Sequence, residues 1–256
     1  MLIKTAKLLD KLRKKLKGGK SIISGWMQLS NTNLTELICQ AKFDCITFDL
    51  EHGVFSVKDL PDLFRVVEMN EKLPFVRLPN KNIKISSQCL DAGAAGIIIP
   101  NIKDNIELEK IIKSINLPPF GNRGVGYSRV NRFGKYFKNF VNTKKKPFIV
   151  AMIENINSVK NLNKILSVRG LDSILIGPYD LSASMKITGK FENIKFNKII
   201  NEIKLQAKKF KIPCGIHVVE TNYKKLKEYE KKGFKFLPYG IDTEIFNKSI
   251  NKIFKI

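Results

Sequence analysis

Three short stretches collect side chains that can do chemistry. Residues 48–53 read FDLEHG, which puts Asp49, Glu51 and His52 within four positions directly after an apolar, β-branched run. Glu154 closes the run IVAMIE and Asp180 closes LIGPYD, so two carboxylates each end an otherwise apolar segment. Arg77 interrupts PFVRLP, where an arginine needs an anionic partner to offset the cost of leaving water. Carboxylates that share a space repel and resist ionisation. A hard divalent cation relieves that conflict, and two protein carboxylates with substrate oxygens and waters are an ordinary set for Mg²⁺ or Mn²⁺. Each residue also has a structural reading. Glu154 can cap the next helix, Asp180 can accept backbone amides in a turn, Arg77 can be half of a buried ion pair, and His52 can be a hydrogen-bonded residue at a strand end. Asp91, in CLDAGAAG, is the candidate partner of His52.

These residues need elements to hold them. Eight short runs of strand character occur at 21–29, 43–50, 73–79, 95–102, 147–154, 171–178, 212–219 and 234–240, and segments of helical periodicity lie between them. Apolar strands alternating with amphipathic helices imply parallel strands covered by helices, and eight such units predict a single-domain (β/α)₈ barrel over residues 1–256. An open doubly wound sheet is the other arrangement, and the absence of a glycine-rich dinucleotide fingerprint after the first strand weighs against it. In a barrel the active site lies where strands end, so Asp49, Glu51, His52, Arg77, Glu154 and Asp180 are expected at one mouth. The long connection at 118–146, rich in glycine, arginine and aromatics, reads as a functional or interface loop.

Composition bounds the partners. The 256 residues carry a formal charge of +23, but only seven of the 46 basic residues are arginine and the lysines spread over nearly every helical segment. That pattern fits solvated helix faces better than a stripe for specific nucleic-acid binding, which stays as the non-enzymatic alternative. The four cysteines show no CxxC spacing, which points to a reduced, cytoplasmic setting. The basic amphipathic start lacks the apolar core of a signal peptide, and no apolar run reaches the ~18 residues of a membrane span.

FDLEHG, VRLP, LDAGAAGIIIP, PPFGNRGVG, MIEN and GPYDLSAS occur in that order, and across about residues 10–245 the chain resembles the metal-dependent pyruvate aldolases of the HpcH/HpaI type. The resemblance implies reversible cleavage of a 2-keto-3-deoxy sugar acid or 4-hydroxy-2-oxo acid to pyruvate and an aldehyde, with Mg²⁺, Mn²⁺ or Co²⁺ bound, in a homo-oligomer, commonly a hexamer. It implies Glu154 and Asp180 as metal ligands, and His52 as the base acting on or through a metal-bound water. Asp91 would raise the basicity of His52, and Arg77 would stabilise the enolate oxygen. Gly177 and Tyr179 would offer backbone amides to the pyruvate carboxylate. Glu51 would hold a metal-bound water in an outer layer, and Asp49 would orient or support its neighbours. Met152 stands where several members have glutamine, and Tyr179 where alanine is frequent, so both are expected to alter substrate contacts. A related barrel lyase acting on an acyl-CoA or another 2-oxo acid is the alternative enzyme. A Schiff-base route would need a lysine inside the barrel, and the second to seventh strand runs contain none.

Overall fold

The eight apolar runs are the eight strands of a closed parallel barrel in the computed structural model, which describes residues 3–254. The strands are β1 (Ile22–Met27), β2 (Cys45–Asp49), β3 (Leu73–Arg77), β4 (Gly96–Ile99), β5 (Phe148–Ile153), β6 (Ser173–Ile176), β7 (Cys214–Ile216) and β8 (Phe236–Tyr239). Each pairs with the next, and β8 closes on β1. Side chains alternate between faces. Ile46, Phe48, Val76, Ile97, Ile153 and Ile176 point outward into the core beneath the helices, while Trp26, Cys45, Phe75, Val150, Met152 and Leu175 fill the barrel interior. Six helices begin under a side-chain cap, five of them from asparagine: Asn31, Asn82, Asp104, Asn155, Asn193 and Asn222. Five of the chain's 22 asparagines thus start helices.

The basic N-terminal stretch forms the helix Ile3–Lys17. Leu9, Leu12 and Leu16, spaced to share one helical face, join the interior cluster and close the barrel where its strands begin. Arg13 fixes the helix there through Asp172 (2.8 and 2.9 Å) and the carbonyls of Lys146 and Pro147. Leu9 is 1% exposed. Leu9→Ala is expected to lower unfolding free energy by roughly 2–5 kcal/mol in urea titrations, and a loss under about 1 kcal/mol would show that the helix is not part of the cooperative core.

The connection 118–146 carries a 3₁₀ turn, Arg129–Asn131, and a short helix, Phe137–Val141. It links the end of one helix to the start of β5, so it lies over the end of the barrel where the strands begin. There Arg129 pairs with Glu68 (2.6 Å) and donates to the carbonyl of Ala92 (2.7 Å). Within one chain it does not line the opposite mouth. No described helix is long and apolar enough to cross a membrane, and all four cysteines are buried and free.

Candidate active site

Strand register builds the site. Asp49 and Arg77 are the last residues of β2 and β3 and lie opposite each other in the pairing. The alternation that sends Phe48 and Val76 outward turns both side chains inward. Arg77 donates from Nε to Asp49 Oδ1 (2.7 Å) and from Nη2 to Asp49 Oδ2 (2.5 Å), a two-pronged pair with Asp49 fully buried. A third contact runs from Arg77 Nη1 to Glu51 Oε2 at 2.9 Å. Two of the five guanidinium N–H groups are thereby hydrogen-bonded, both to Asp49, while Glu51 is engaged as an ion pair, leaving three. Trp26 Nε1 (3.2 Å) and Gln28 Nε2 (3.3 Å) also donate to Asp49, and the Arg77 guanidinium lies 5.2 Å from the Trp26 ring centre. Burial by itself raises a carboxyl, but the hydrogen bonds and charge of Arg77 outweigh it and hold Asp49 below the usual carboxylate range. The ion-pair reading of Arg77 and its placement at the mouth are thus both met, because the pair aims the guanidinium.

Asp49 also shapes the loop that follows it. Its Oδ1 accepts from the backbone N–H of Glu51 (3.1 Å) and His52 (3.3 Å), and its carbonyl accepts from Gly53 (2.9 Å). A Cβ on Gly53 would lie 2.2 Å from that carbonyl oxygen, so the turn requires glycine. His52 is exposed, and its ring makes no hydrogen bond within the described residues.

Glu154 follows β5 and is 6% exposed. Its Oε2 accepts the backbone N–H of Asn101 at 2.6 Å, and Asn101 takes a left-handed turn (φ 48°) just after β4. Burial pushes the carboxyl up to about 7, and the nearby charges of Asp180 and Glu51 add to the rise. Glu51 is itself raised, by burial opposed by Arg77, with Asp180 again adding. Three carboxylates therefore feel one another. Asp180, in the first turn of the helix Pro178–Ser184, is exposed and accepts no protein hydrogen bond among the described residues.

Two expectations need correction. Asp91 does not reach His52. It lies in the last turn of the helix Ile83–Ala92, which leads into the start of β4, so it sits at the other end of the barrel, bonded to Arg123 (2.5 Å) and Ser128 (3.4 Å). Gly177 is not a free amide donor, since its N–H faces the carbonyl of Ile153 at 3.4 Å. It makes room instead, because a Cβ there would come within 2.8 Å of Glu154 Oε1. The first-turn amides of Tyr179 and Asp180 have no partner within the helix. Met152 is 2% exposed and belongs to the interior cluster with Val150 and Leu175, so it floors the site beneath Glu154. Tyr179, 46% exposed, turns its ring onto Phe191 (5.0 Å, edge to face) at the rim. Trp26, Gln28, Asn101 and His217 complete the mouth without having been singled out in the sequence. His217 had a signal, being the second of only two histidines and, like His52, placed just after a strand.

The comparisons agree with one another. Residues 23–249 match the family model described as HpcH/HpaI aldolase/citrate lyase. A 5-keto-4-deoxy-D-glucarate aldolase of Citrobacter koseri is 29% identical over 246 residues, 95% of either chain. A hydroxypyruvate/pyruvate aldolase of Roseobacter denitrificans is 30% identical over 184 residues, 71% of this chain and 72% of that one. Among solved structures, an HpcH/HpaI aldolase from Desulfitobacterium hafniense superposes with a TM-score of 0.86 at 26% identity, covering 95% of both chains.

Proposed function

Because the chain belongs to the HpcH/HpaI aldolase/citrate lyase family and is a carbon–carbon lyase, we propose that its barrel mouth cleaves a 2-keto-3-deoxy or 4-hydroxy-2-oxo acid reversibly to pyruvate and an aldehyde. The observation that carries this reading is the guanidinium of Arg77, hydrogen-bonded to Asp49 and ion-paired with Glu51 with three N–H groups to spare, beside a carboxylate that burial, aided by nearby charges, drives toward protonation.

Glu154 and Asp180 would hold a divalent cation. The donors fit a hard ion, since both are carboxylates, Glu154 Oε1 takes no protein hydrogen bond among the described residues, and Gly177 leaves the space beside it open. No described cluster of three or more His, Cys, Asp or Glu side chains encloses a metal-sized space, so substrate and water must supply the remaining ligands, as suits Mg²⁺, Mn²⁺ or Co²⁺. When bound, the cation polarises the keto group of the 2-oxo acid. Arg77 donates to the keto oxygen as negative charge gathers there and the C3–C4 bond breaks. His52 takes the proton of the C4 hydroxyl and its exposed ring passes it to solvent, from which C3 of the enolate takes a proton to become the methyl group of pyruvate. The amides of Tyr179 and Asp180 face the pyruvate carboxylate, and Glu51 steadies the outer edge of Arg77. Assembly into a homo-oligomer, hexameric by family resemblance, belongs to the same reading.

The test is pyruvate release from a panel of such acids by chelated protein resupplied with Mn²⁺, Mg²⁺ or Co²⁺. Metal-dependent pyruvate is the expected result. Turnover of thioesters alone would move the chain to the acyl-CoA lyases, and no pyruvate from any acid with any metal would end the reading.

A further inference from the structure

The mechanism leaves one histidine without a role. His217 comes directly after β7, its backbone N–H donating to the carbonyl of Ile176 at 3.2 Å. Since Ile216 packs outward, alternation turns His217 inward at the mouth. Its ring centre is 4.4 Å from that of Trp26, the residue whose indole bonds Asp49, so the imidazole forms part of the wall that carries Arg77. On its other side His217 borders a cavity of about 30 Å³, walled by Tyr179, Phe191, Phe196 and Val218. That is room for a single water-sized group.

The polar groups here are poised for a neutral ligand. The imidazole is uncharged near neutral pH, because burial and the charge of Arg77 push it down to about 4. Nε2 stands 3.5 Å from the carbonyl of Gly240, at the limit of a hydrogen bond. Nδ1 has no protein partner among the described residues and is not sealed from solvent. Lys225, at the edge of the same cavity, is paired with Glu220 at 3.3 Å, so no unpaired cation waits there for a carboxylate. A hydroxyl, which donates and accepts, satisfies a neutral imidazole in either tautomer.

We infer that His217 is a specificity-determining residue that hydrogen-bonds a hydroxyl on the aldehyde half of the substrate, with that hydroxyl seated in the cavity between Tyr179 and His217. The inference rests on the aldolase reading and adds the chemical class of the aldehyde: an uncharged hydroxyaldehyde. The phenyl walls favour a carbon bearing the hydroxyl over a larger hydrated group.

The test compares aldol addition of pyruvate to glycolaldehyde and to propanal, which differ by hydroxyl against methyl, in the Mn²⁺-loaded enzyme. The readout is the ratio of the two kcat/KM values. Intrinsic reactivity of the aldehydes and any general loss in a variant cancel when that ratio is compared between enzymes. His217→Leu is expected to lower the ratio roughly tenfold, the scale of one neutral hydrogen bond. His217→Phe, which keeps a ring over Trp26 without a nitrogen, should do the same, and His217→Asn should keep much of the preference. An unchanged ratio in either Leu or Phe variant that folds overturns the inference. Exchange of pyruvate methyl protons by the parent enzyme tests the aldolase reading separately, because no aldehyde takes part. Its absence would withdraw that reading and this inference with it.

Discussion

Arg77→Lys is expected to slow both aldol cleavage and exchange of pyruvate methyl protons by about 10²–10³-fold, the usual cost of one donor aimed at a developing oxyanion. Both reactions pass through the same enolate, so a group that stabilises that oxygen affects both alike. Lysine keeps the charge but has no planar fork. Arg77 uses two N–H groups on Asp49, pairs by charge with Glu51, and still presents three others. An ammonium that satisfies buried Asp49 has no comparable reach toward substrate. Some loss of stability will accompany the change, since Asp49 is fully buried and depends on this pair. Rates are therefore to be measured per folded, metal-loaded molecule, with exchange followed by NMR. Near-normal exchange with a lowered melting temperature would assign Arg77 to the ion pair alone.

The fold was legible because period and composition agree at each strand. Runs such as CITFD and FIVAMI are apolar on both faces, as strands buried between a packed barrel interior and a shell of helices must be. The ends of β2, β3 and β5 were equally readable, since an ionisable residue after such a run has only the mouth to occupy. What the residues alone did not reveal was pairing. That Asp49 lies opposite Arg77 depends on the register of β2 with β3, which no local pattern specifies.

Asp91 was misplaced for a physical reason that the sequence contains. A residue at the end of a helix that precedes a strand lies at the barrel end where strands begin, as far from His52 as the barrel is tall. Gly177 was read as a donor, whereas its backbone N–H meets Ile153 and its missing side chain is what matters. His217 escaped notice because it follows the apolar run IPCGI and reads as one more strand residue, although its half-buried ring touches Trp26.

Glu154→Gln is expected to act in opposite directions on activity and on the stability of the metal-free protein. Burial among like charges raises the Glu154 carboxyl from its ordinary 4.5 to about 7 in the folded chain. A raised carboxyl contributes stability that is complete below pH ~4.5 and is lost as pH climbs through about 7. At pH 8 the metal-free enzyme therefore carries an ionised, nearly buried carboxylate at a cost of about 3 kcal/mol. Glutamine keeps an oxygen for the amide of Asn101 and carries no charge. In urea titrations with chelator, the variant should match the parent at pH 4.5 and exceed it by about 3 kcal/mol at pH 8. Added Mn²⁺ should then stabilise the parent by mass action and leave the variant unmoved, because an amide is a poor substitute for an anionic oxygen ligand. Cleavage by the variant should fall by on the order of 10³-fold or more, the several kcal/mol that a Lewis acid contributes at a carbonyl. A variant that cleaves normally, or that is less stable than the parent at pH 8 without metal, would make Glu154 a structural cap. On the proposed reading, the cost of this carboxylate in the empty site is one that a bound divalent cation would relieve.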